Sequence, residues 1–154
     1  MIIEVVKEFS FDAAHFLPNY EGKCAETHGH RWVLEVGFAG EVDPKTGMVI
    51  DFVDIKSMVN GLIIDKLDHK LLNEIEAPQQ FEQQVLFEST KPEFPYRNPT
   101  AENMVEWMVR VLKARTPSRD GLRLTLLRLY ESPTSYAEWR DGEGFQLERG
   151  ECGC

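Results

Sequence analysis

The chain has 154 residues, of which 42% are apolar and 28% are charged, close to the average for soluble globular domains. This composition excludes a disordered or collagen-like chain. A chain of this length can bury a sizeable hydrophobic core without needing disulfides or a structural metal. The formal net charge of −9 argues against nucleic acid as a partner, because an acidic surface repels a phosphate backbone.

The composition also bears on where the protein works. No apolar run approaches the roughly 18 residues of a membrane span, and the first ten residues alternate apolar and charged types, unlike a signal peptide. We therefore expect a cytoplasmic protein with no membrane partner. The three cysteines, Cys24, Cys152 and Cys154, are too few for a disulfide framework and should be thiols in a reducing compartment.

The first half of the chain contains two predicted strands. Between Ile3 and His15 apolar residues alternate with charged ones, which is the period of a half-buried strand. A second strand is predicted from about Gly29 to Val42, and residues 43–47 form a turn after it.

A helix follows, because from Asp51 the apolar residues recur at helical spacing. Either Asp51 or Asp54 can cap its amino end, and the pattern fades near Lys66 or Leu67. The Met and Trp residues of the apolar stripes are expected in the core, as is usual for these residue types.

The second half contains another helix and two more strands. The helix begins after a cap at residues 99–100 and stops at residues 116–117, and the strands cover residues 122–131 and 136–139. The order ββ, α, loop, α, ββ predicts a single α+β domain over residues 1–148.

Two segments carry no regular pattern. Residues 76–98, rich in proline and glutamine, are predicted to form a long surface loop with room for a short helix. Residues 149–154 are predicted to be a flexible tail. The Cys-x-Cys end of that tail could bind a soft metal, but two reduced thiols are the simpler expectation.

Three of the four histidines lie where the first two strands meet: His15, His28 and His30. Residues i and i+2 of a strand share a face, so His28 and His30 can converge, with His15 joining from the neighbouring strand. Three imidazoles leave one position of a tetrahedral Zn²⁺ open, as in catalytic sites, and a substrate oxygen could fill it. A His-x-His pair also occurs on surfaces by chance, but a histidine in an apolar strand needs a partner, and a metal explains both features.

Cys24 lies four residues before His28, and its role is open at this stage. As a fourth ligand it would close the metal site and make that site structural. As a thiolate whose pKa is lowered by nearby positive charge, it would act as a base or nucleophile. A plain buried cysteine is the third alternative.

Two further acidic positions are candidates for chemistry. The adjacent Asp68 and His69 could form a proton relay, or could act as a helix-end cap and dipole partner. Glu131 ends a strand on the face of Leu127 and Leu129, where a carboxylate needs donors. An amidine-like ligand edge with two N–H groups would bind it bidentately, and a salt bridge to an arginine is the alternative.

Six motifs in this order resemble the family of 6-pyruvoyl-tetrahydropterin synthase and 6-carboxy-tetrahydropterin synthase (QueD). The resemblance covers roughly residues 3–75 and 98–140. The motifs are Phe11-Asp-Ala-Ala-His15, Cys24-x-x-x-His28-Gly-His30, Asp51-Phe-x-Asp54, Leu67-Asp68-His69-x-x-Leu-Asn73, Pro99-Thr-x-Glu-Asn103 and Tyr130-Glu131.

The resemblance implies a fold and a set of residue roles. The fold is the tunnelling fold (T-fold), ββααββ, with a four-stranded antiparallel sheet and two helices on one face. The metal would be Zn²⁺, held by the three histidines, with dihydroneopterin triphosphate as the substrate. The implied roles are zinc ligands for His15, His28 and His30, a catalytic triad of Cys24, Asp68 and His69, and pterin binding by Glu131, Thr100 and Glu102.

The resemblance also implies a homohexamer, a dimer of trimers, in which the triad is completed across a subunit boundary. The spacing from Cys24 to His28 resembles the QueD type, which forms a 6-carboxylate and releases acetaldehyde and triphosphate on the route to queuosine. Pyruvoyl-type members instead stop at a diketo side chain. Glu26 raises a third outcome, because members with a glutamate in place of the cysteine form 6-hydroxymethyl-dihydropterin for folate.

Overall fold

Two long antiparallel strands, β1 (Ile2–His15) and β2 (His28–Glu41), form the centre of the sheet. They pair along their whole length, from Ile2 opposite Glu41 to His15 opposite His28. In the computed structural model the described residues are 1–75, 94–119 and 121–142. The predicted tail at 149–154, the domain end at residue 148 and most of the predicted 76–98 loop lie outside them.

The helical segment after β2 has three parts. They are α1 (Phe52–Val59), a π-helical turn (Asn60–Ile64) and α2 (Asp65–Leu67). Asp51 is the cap, because its side chain accepts a 2.8 Å hydrogen bond from the backbone N–H of Val53. The segment leads directly into the Asp68–His69 pair.

The remaining elements complete the sheet and its cover. They are β3 (Lys70–Leu71), α3 (Ala101–Lys113), β4 (Arg123–Ser132) and β5 (Ser135–Arg140). The strand order is β3-β1-β2-β4-β5.

The four predicted antiparallel strands are all present, and the T-fold architecture is confirmed. The sheet differs from the prediction in one detail, because β3 adds a fifth strand, parallel to β1. A strand of two residues is too short to show an alternating pattern, so the periodicity of the sequence could not reveal it.

The core lies between one face of the sheet and the helices. Strand residues of that face and helix residues form one continuous apolar cluster, as the predicted stripes require. The members with no exposed surface include Trp32, Leu34, Val36, Phe38, Ile55, Val59, Ile63, Leu67, Met104, Met108, Leu112, Leu127 and Leu129. No helix within the described ranges is long and apolar enough to cross a membrane.

Candidate metal centre and its surroundings

The three predicted histidines converge at one end of the β1–β2 pair. His15 and His28 are direct cross-strand partners, and His30 lies opposite Ala13, two residues further along β2. One nitrogen from each ring lies within 4.8 Å of the other two. The ring centroids of His15 are 4.7 Å from His28 and 5.2 Å from His30. Strand pairing thus brings together three imidazoles that are close enough to bind a metal ion.

Backbone carbonyls fix the tautomers of two of these rings. The Nδ1–H of His15 donates to the Pro99 carbonyl at 2.8 Å, and the Nδ1–H of His28 donates to the Glu26 carbonyl at 2.7 Å. A carbonyl oxygen can only accept, so in the neutral ring the lone pair lies on Nε2. Outer hydrogen bonds of this kind orient metal-binding histidines.

The Nε2 atoms of His15 and His30 are buried and have no hydrogen-bond partner within the described part of the chain. A buried nitrogen without a partner is costly, and a bound cation would remove that cost. Burial lowers the pKa of His30, partly offset by the charge of Glu131, and this favours the neutral ring that a metal requires. An all-imidazole donor set fits Zn²⁺, which the sequence analysis expects.

Trp32 forms the floor of the site. Its ring is fully buried, and its centroid lies 5.2 Å from that of His15 and 5.4 Å from that of His30, both edge-on. The indole Nε1–H donates to the Ala13 carbonyl at 3.2 Å, which locks the ring against β1. An apolar floor strengthens electrostatic interactions inside the site.

Glu131 lies against the histidines. Its Oε1 is 3.3 Å from His15 Nε2 and 3.6 Å from His30 Nε2, and its side chain is 35% exposed. These close contacts lack hydrogen-bond geometry, since both Nε2 atoms remain without a hydrogen-bond partner. No arginine of residues 1–75, 94–119 or 121–142 forms a salt bridge with this carboxylate, so the described structure does not support that alternative.

Cys24 lies in a single turn of 3₁₀ helix (Lys23–Ala25) between β1 and β2, and it is a partly buried free thiol. The backbone N–H of Leu17 donates to the Cys24 carbonyl at 2.8 Å and closes this loop. Its sulfur does not belong to the group of ligand atoms that the three histidines form within the described part of the chain. The geometry therefore does not favour Cys24 as the fourth ligand.

Asp68 and His69 form an ion pair beside β1, with Asp68 Oδ2 3.0 Å from His69 Nδ1. Asp12 of β1 holds both residues through its backbone. Its N–H donates to Asp68 Oδ1 at 3.0 Å, and its carbonyl accepts from the His69 N–H at 2.6 Å. His69 has a φ of 59°, the only positive φ of a non-glycine residue in the described ranges, and such strain is common at functional sites.

Charges around this pair favour an ionised Asp68. The backbone N–H of Asp12 lowers the pKa of Asp68, and the hydrogen bond from His69 adds to this. Arg31, opposite Asp12 on β2, donates to the Asp12 carboxylate at 2.9 Å and 2.7 Å and lowers the pKa of that carboxyl. Cys24 is not among the hydrogen-bond partners of the Asp68–His69 pair in the described part of the chain.

The two remaining predicted residues lie at the start of α3. Thr100 follows Pro99, whose carbonyl binds His15, and its hydroxyl caps α3 by accepting from the Asn103 N–H at 3.3 Å. Glu102, in the first turn, is exposed and faces a groove between α3 and β5. Thr100 is thus adjacent to the histidines, whereas Glu102 points along the β5 side.

Sequence reasoning missed the groups that orient the histidines. The carbonyls of Glu26 and Pro99 carry no side-chain signal, so no pattern could identify them. Trp32 offered a signal, because it lies two residues after His30 and therefore shares its face. The closeness of Glu131 to two histidines depends on the pairing of β4 with β2, which a single sequence does not reveal.

The chain matches known proteins over most of its length. The family model described as 6-pyruvoyl tetrahydropterin synthase matches residues 4–142. A protein named 6-carboxy-5,6,7,8-tetrahydropterin synthase from Haemophilus influenzae is 33% identical over 146 residues, covering 91% of this chain and 100% of that protein. One of the same name from Rickettsia conorii is 31% identical over 137 residues, covering 89% and 99%.

A solved structure shares the fold. The 6-pyruvoyl tetrahydropterin synthase of Caenorhabditis elegans superposes with a TM-score of 0.70 at 27% identity, covering 92% of this chain and 96% of that one. The family model spans nearly all the described residues, including every candidate residue of the metal centre and its surroundings. The chain therefore belongs to the 6-pyruvoyl tetrahydropterin synthase family.

Proposed function

We propose that the protein is a zinc-dependent 6-carboxy-5,6,7,8-tetrahydropterin synthase acting in 7-deazaguanine and queuosine synthesis. It would convert 7,8-dihydroneopterin triphosphate and one water into 6-carboxy-tetrahydropterin, acetaldehyde and triphosphate. The names of the Haemophilus influenzae and Rickettsia conorii relatives support this reaction over the alternatives. The cysteine-to-histidine spacing from Cys24 to His28 supports it independently.

The observation that carries the proposal is the convergence of His15, His28 and His30. Two of its Nε2 atoms are buried without hydrogen-bond partners, and two rings have their tautomers set by backbone carbonyls. These residues would hold Zn²⁺ with one position left for substrate oxygen. Bound there, the metal would supply Lewis-acid polarisation of the substrate's side-chain hydroxyls.

The protein's own residues would move the protons. Cys24 is the proposed base, because its loop adjoins His28 and its sulfur lies outside the metal-binding group. The Asp68–His69 pair is the proposed relay, with the carboxylate orienting the ring and stabilising its protonated form. The strained backbone of His69 is consistent with a residue placed for chemistry.

Pterin binding is assigned to Glu131, Thr100 and Glu102. The Glu131 carboxylate would accept hydrogen bonds from the 2-amino and N3–H edge of the pterin. Thr100 borders the histidines through its neighbour Pro99, which supports a place at the pocket edge. Glu102 is exposed on the β5 side, so its contribution requires a pocket that extends toward α3.

The test is to incubate zinc-loaded protein with dihydroneopterin triphosphate, identify the pterin product by mass, and assay acetaldehyde in the same tube. We expect 6-carboxy-tetrahydropterin and acetaldehyde in equal amounts. A pyruvoyl product, or 6-hydroxymethyl-dihydropterin, would contradict the proposed reaction and assign the protein to one of the two alternative outcomes.

Two variants test the proposed base. Cys24→Ala should lose about 10²- to 10⁴-fold in kcat while retaining its zinc, because general-base catalysis contributes that much. Glu26→Gln is the matched control, since Glu26 is exposed and uses its backbone carbonyl to bind His28. Loss of turnover in Glu26→Gln with retention in Cys24→Ala would make Glu26 the base.

A further inference from the structure

The position of the Glu131 carboxylate relative to the metal-binding histidines is unusual for a residue whose only role is to bind substrate. Its Oε1 lies 3.3 Å from His15 Nε2 and 3.6 Å from His30 Nε2. The Nε2 atoms of both imidazoles are buried, and the two side chains are 1% and 24% exposed. The carboxylate therefore points inward, toward the group of histidines.

A carboxylate oxygen and an imidazole lone pair repel each other. The Nδ1–H of His15 is already committed to the Pro99 carbonyl, so in the neutral ring Nε2 presents a lone pair to Glu131. The contact lacks hydrogen-bond geometry, so no well-formed N–H···O bond offsets the repulsion. A cation shared by the carboxylate and the two nitrogens would convert this repulsion into coordination.

The distances also match those between ligands of one metal ion. Two ligand atoms on a tetrahedral zinc, each at roughly 2.0–2.1 Å, are about 3.3 Å from each other. Glu131 Oε1 lies 3.3 Å and 3.6 Å from two of the three imidazole nitrogens. The third imidazole is that of His28, which pairs with His15 across β1 and β2.

The alternation of β4 places Glu131 on the face of Leu127 and Leu129, and the strand is irregular at this residue. The pairing of β4 with β5 shifts register between Tyr130 and Ser132, so Glu131 is the residue at the irregularity. Such irregularities leave a residue outside the regular hydrogen-bond ladder and are frequent beside active sites. The same local freedom would let the carboxylate move between two partners.

We propose that Glu131 is the fourth ligand of the metal in the substrate-free enzyme and leaves the metal when the pterin binds. This inference rests on the proposed zinc centre and on the proposed pterin contact of Glu131. The carboxylate would exchange coordination for the amidine-like edge of the pterin, which opens the fourth position to substrate oxygen. A ligand without that edge would leave the site closed.

The first test is metal affinity, measured by chelator competition with Zn²⁺ for the wild-type protein, Glu131→Gln and Glu131→Asp. We expect Glu131→Gln to bind zinc about 10-fold or more weakly, as found when groups that support a metal site are removed. Glu41→Gln is the matched control, because Glu41 is 76% exposed at the far end of β2. Its zinc affinity should equal that of the wild type.

The second test uses the visible absorption of the Co²⁺-substituted protein, which reports the ligand set without turnover. Wild type and Glu131→Gln should differ in the intensity and position of the cobalt bands. Bare pterin, which has the amidine edge and no side-chain oxygen, should change the wild-type spectrum and leave that of Glu131→Gln unchanged. Circular dichroism would establish that both variants are folded.

The outcomes separate this inference from the proposed function. If Glu131→Gln binds zinc as tightly as the wild type and gives the same cobalt spectrum, Glu131 is not a ligand and the proposed reaction stands. If the wild type binds neither zinc nor cobalt, the proposed metal centre fails and the inference fails with it.

Discussion

At the scale of single residues, the backbone decides what each imidazole can do. His15 and His28 both donate from Nδ1 to carbonyl oxygens, which directs their Nε2 lone pairs into the site. The two rings differ in burial, since His15 has no exposed surface and His28 is partly exposed. The two rings therefore contribute differently to the stability of the fold.

This difference predicts the behaviour of two variants. His15→Ala should lose the metal and also destabilise the metal-free protein by about 2–4 kcal/mol, because it leaves a cavity and an unpaired carbonyl. His28→Ala should lose the metal at a cost of about 1 kcal/mol or less. Metal content by atomic emission and urea unfolding in the presence of a chelator would measure both effects. Equal destabilisation by the two substitutions would contradict the burial argument.

The histidine group could be predicted from the sequence because its members follow strand periodicity. His28 and His30 are two residues apart, and His15 lies on the apolar face of the preceding strand. The role of Cys24 could not be predicted from spacing, because a loop of this length lets the sulfur approach or avoid the metal. The structure places that sulfur outside the group that the three histidines form.

At the scale of elements, the long amphipathic segments were the most predictable. Ile55, Val59, Ile63 and Leu67 repeat every four residues and are all fully buried. In a regular α-helix this spacing drifts around the axis, since four residues exceed one turn of 3.6. The π-helical turn at Asn60–Ile64 widens the helix and keeps the four side chains facing the sheet. A helical period alone could not distinguish this arrangement from one regular helix.

The cap of this segment offers a prediction. Asp51→Ala should lower the free energy of unfolding by about 1 kcal/mol, because its carboxylate satisfies the N–H of Val53. Asp54→Ala is the control, since Asp54 lies in the first turn, where a carboxylate interacts with the helix dipole by a few tenths of a kcal/mol. Urea denaturation would compare the two. A larger loss of stability in Asp54→Ala than in Asp51→Ala would contradict the assignment of Asp51 as the cap.

The pairing of β4 with β5 carries a pH dependence. Burial opposes ionisation of Glu138, but hydrogen bonds from Arg140 and Arg128 outweigh it and hold the pKa of Glu138 below its ordinary value of 4.5. A carboxyl with a lowered pKa in the folded state stabilises the protein above its ordinary pKa, and this stabilisation is lost as the pH falls through the lowered value.

We therefore expect Glu138→Gln to be less stable than the wild type at pH 7, with the difference shrinking below about pH 4.5 as Glu138 itself becomes protonated. Urea unfolding of both proteins between pH 7 and pH 3.5 would measure this. Glu41→Gln, at an exposed carboxylate, should show a smaller difference at neutral pH. A gap that widened toward low pH would contradict the assignment.

At the scale of the whole molecule, Cys24 forms no hydrogen bond with the Asp68–His69 pair in the part of the chain that the structure describes. The Asp68–His69 pair is bound by Asp12, on the side of β1 where β3 pairs. Cys24 lies in the loop that joins β1 to β2. The resemblance implies that a neighbouring subunit of a homohexamer completes the triad. Such assembly would also cover edge strands such as β5, which otherwise expose unpaired backbone groups.

A complementation experiment tests this assembly. Cys24→Ala and His69→Ala should each be inactive, but random mixing of their subunits should restore about one quarter of the activity, because one quarter of the shared sites receive both intact residues. Activity after dissociation and reassembly, with sedimentation to establish the oligomer, would measure it. Each variant mixed with itself is the control. A hexamer that recovers no activity would place the triad within one subunit.

One residue of β1 connects the two halves of this chemistry. Asp12 lies three residues before His15, and its backbone N–H and carbonyl both bind the Asp68–His69 segment. The amide proton of Asp12 is hydrogen-bonded to the Asp68 carboxylate, so its hydrogen-exchange rate reports how often that bond breaks. Exchange at Asp12 and His69 should slow together when the catalytic groups are ordered by a ligand. The exchange rate of a single amide, on the same strand as His15, would thus report the opening and closing of the proposed proton relay.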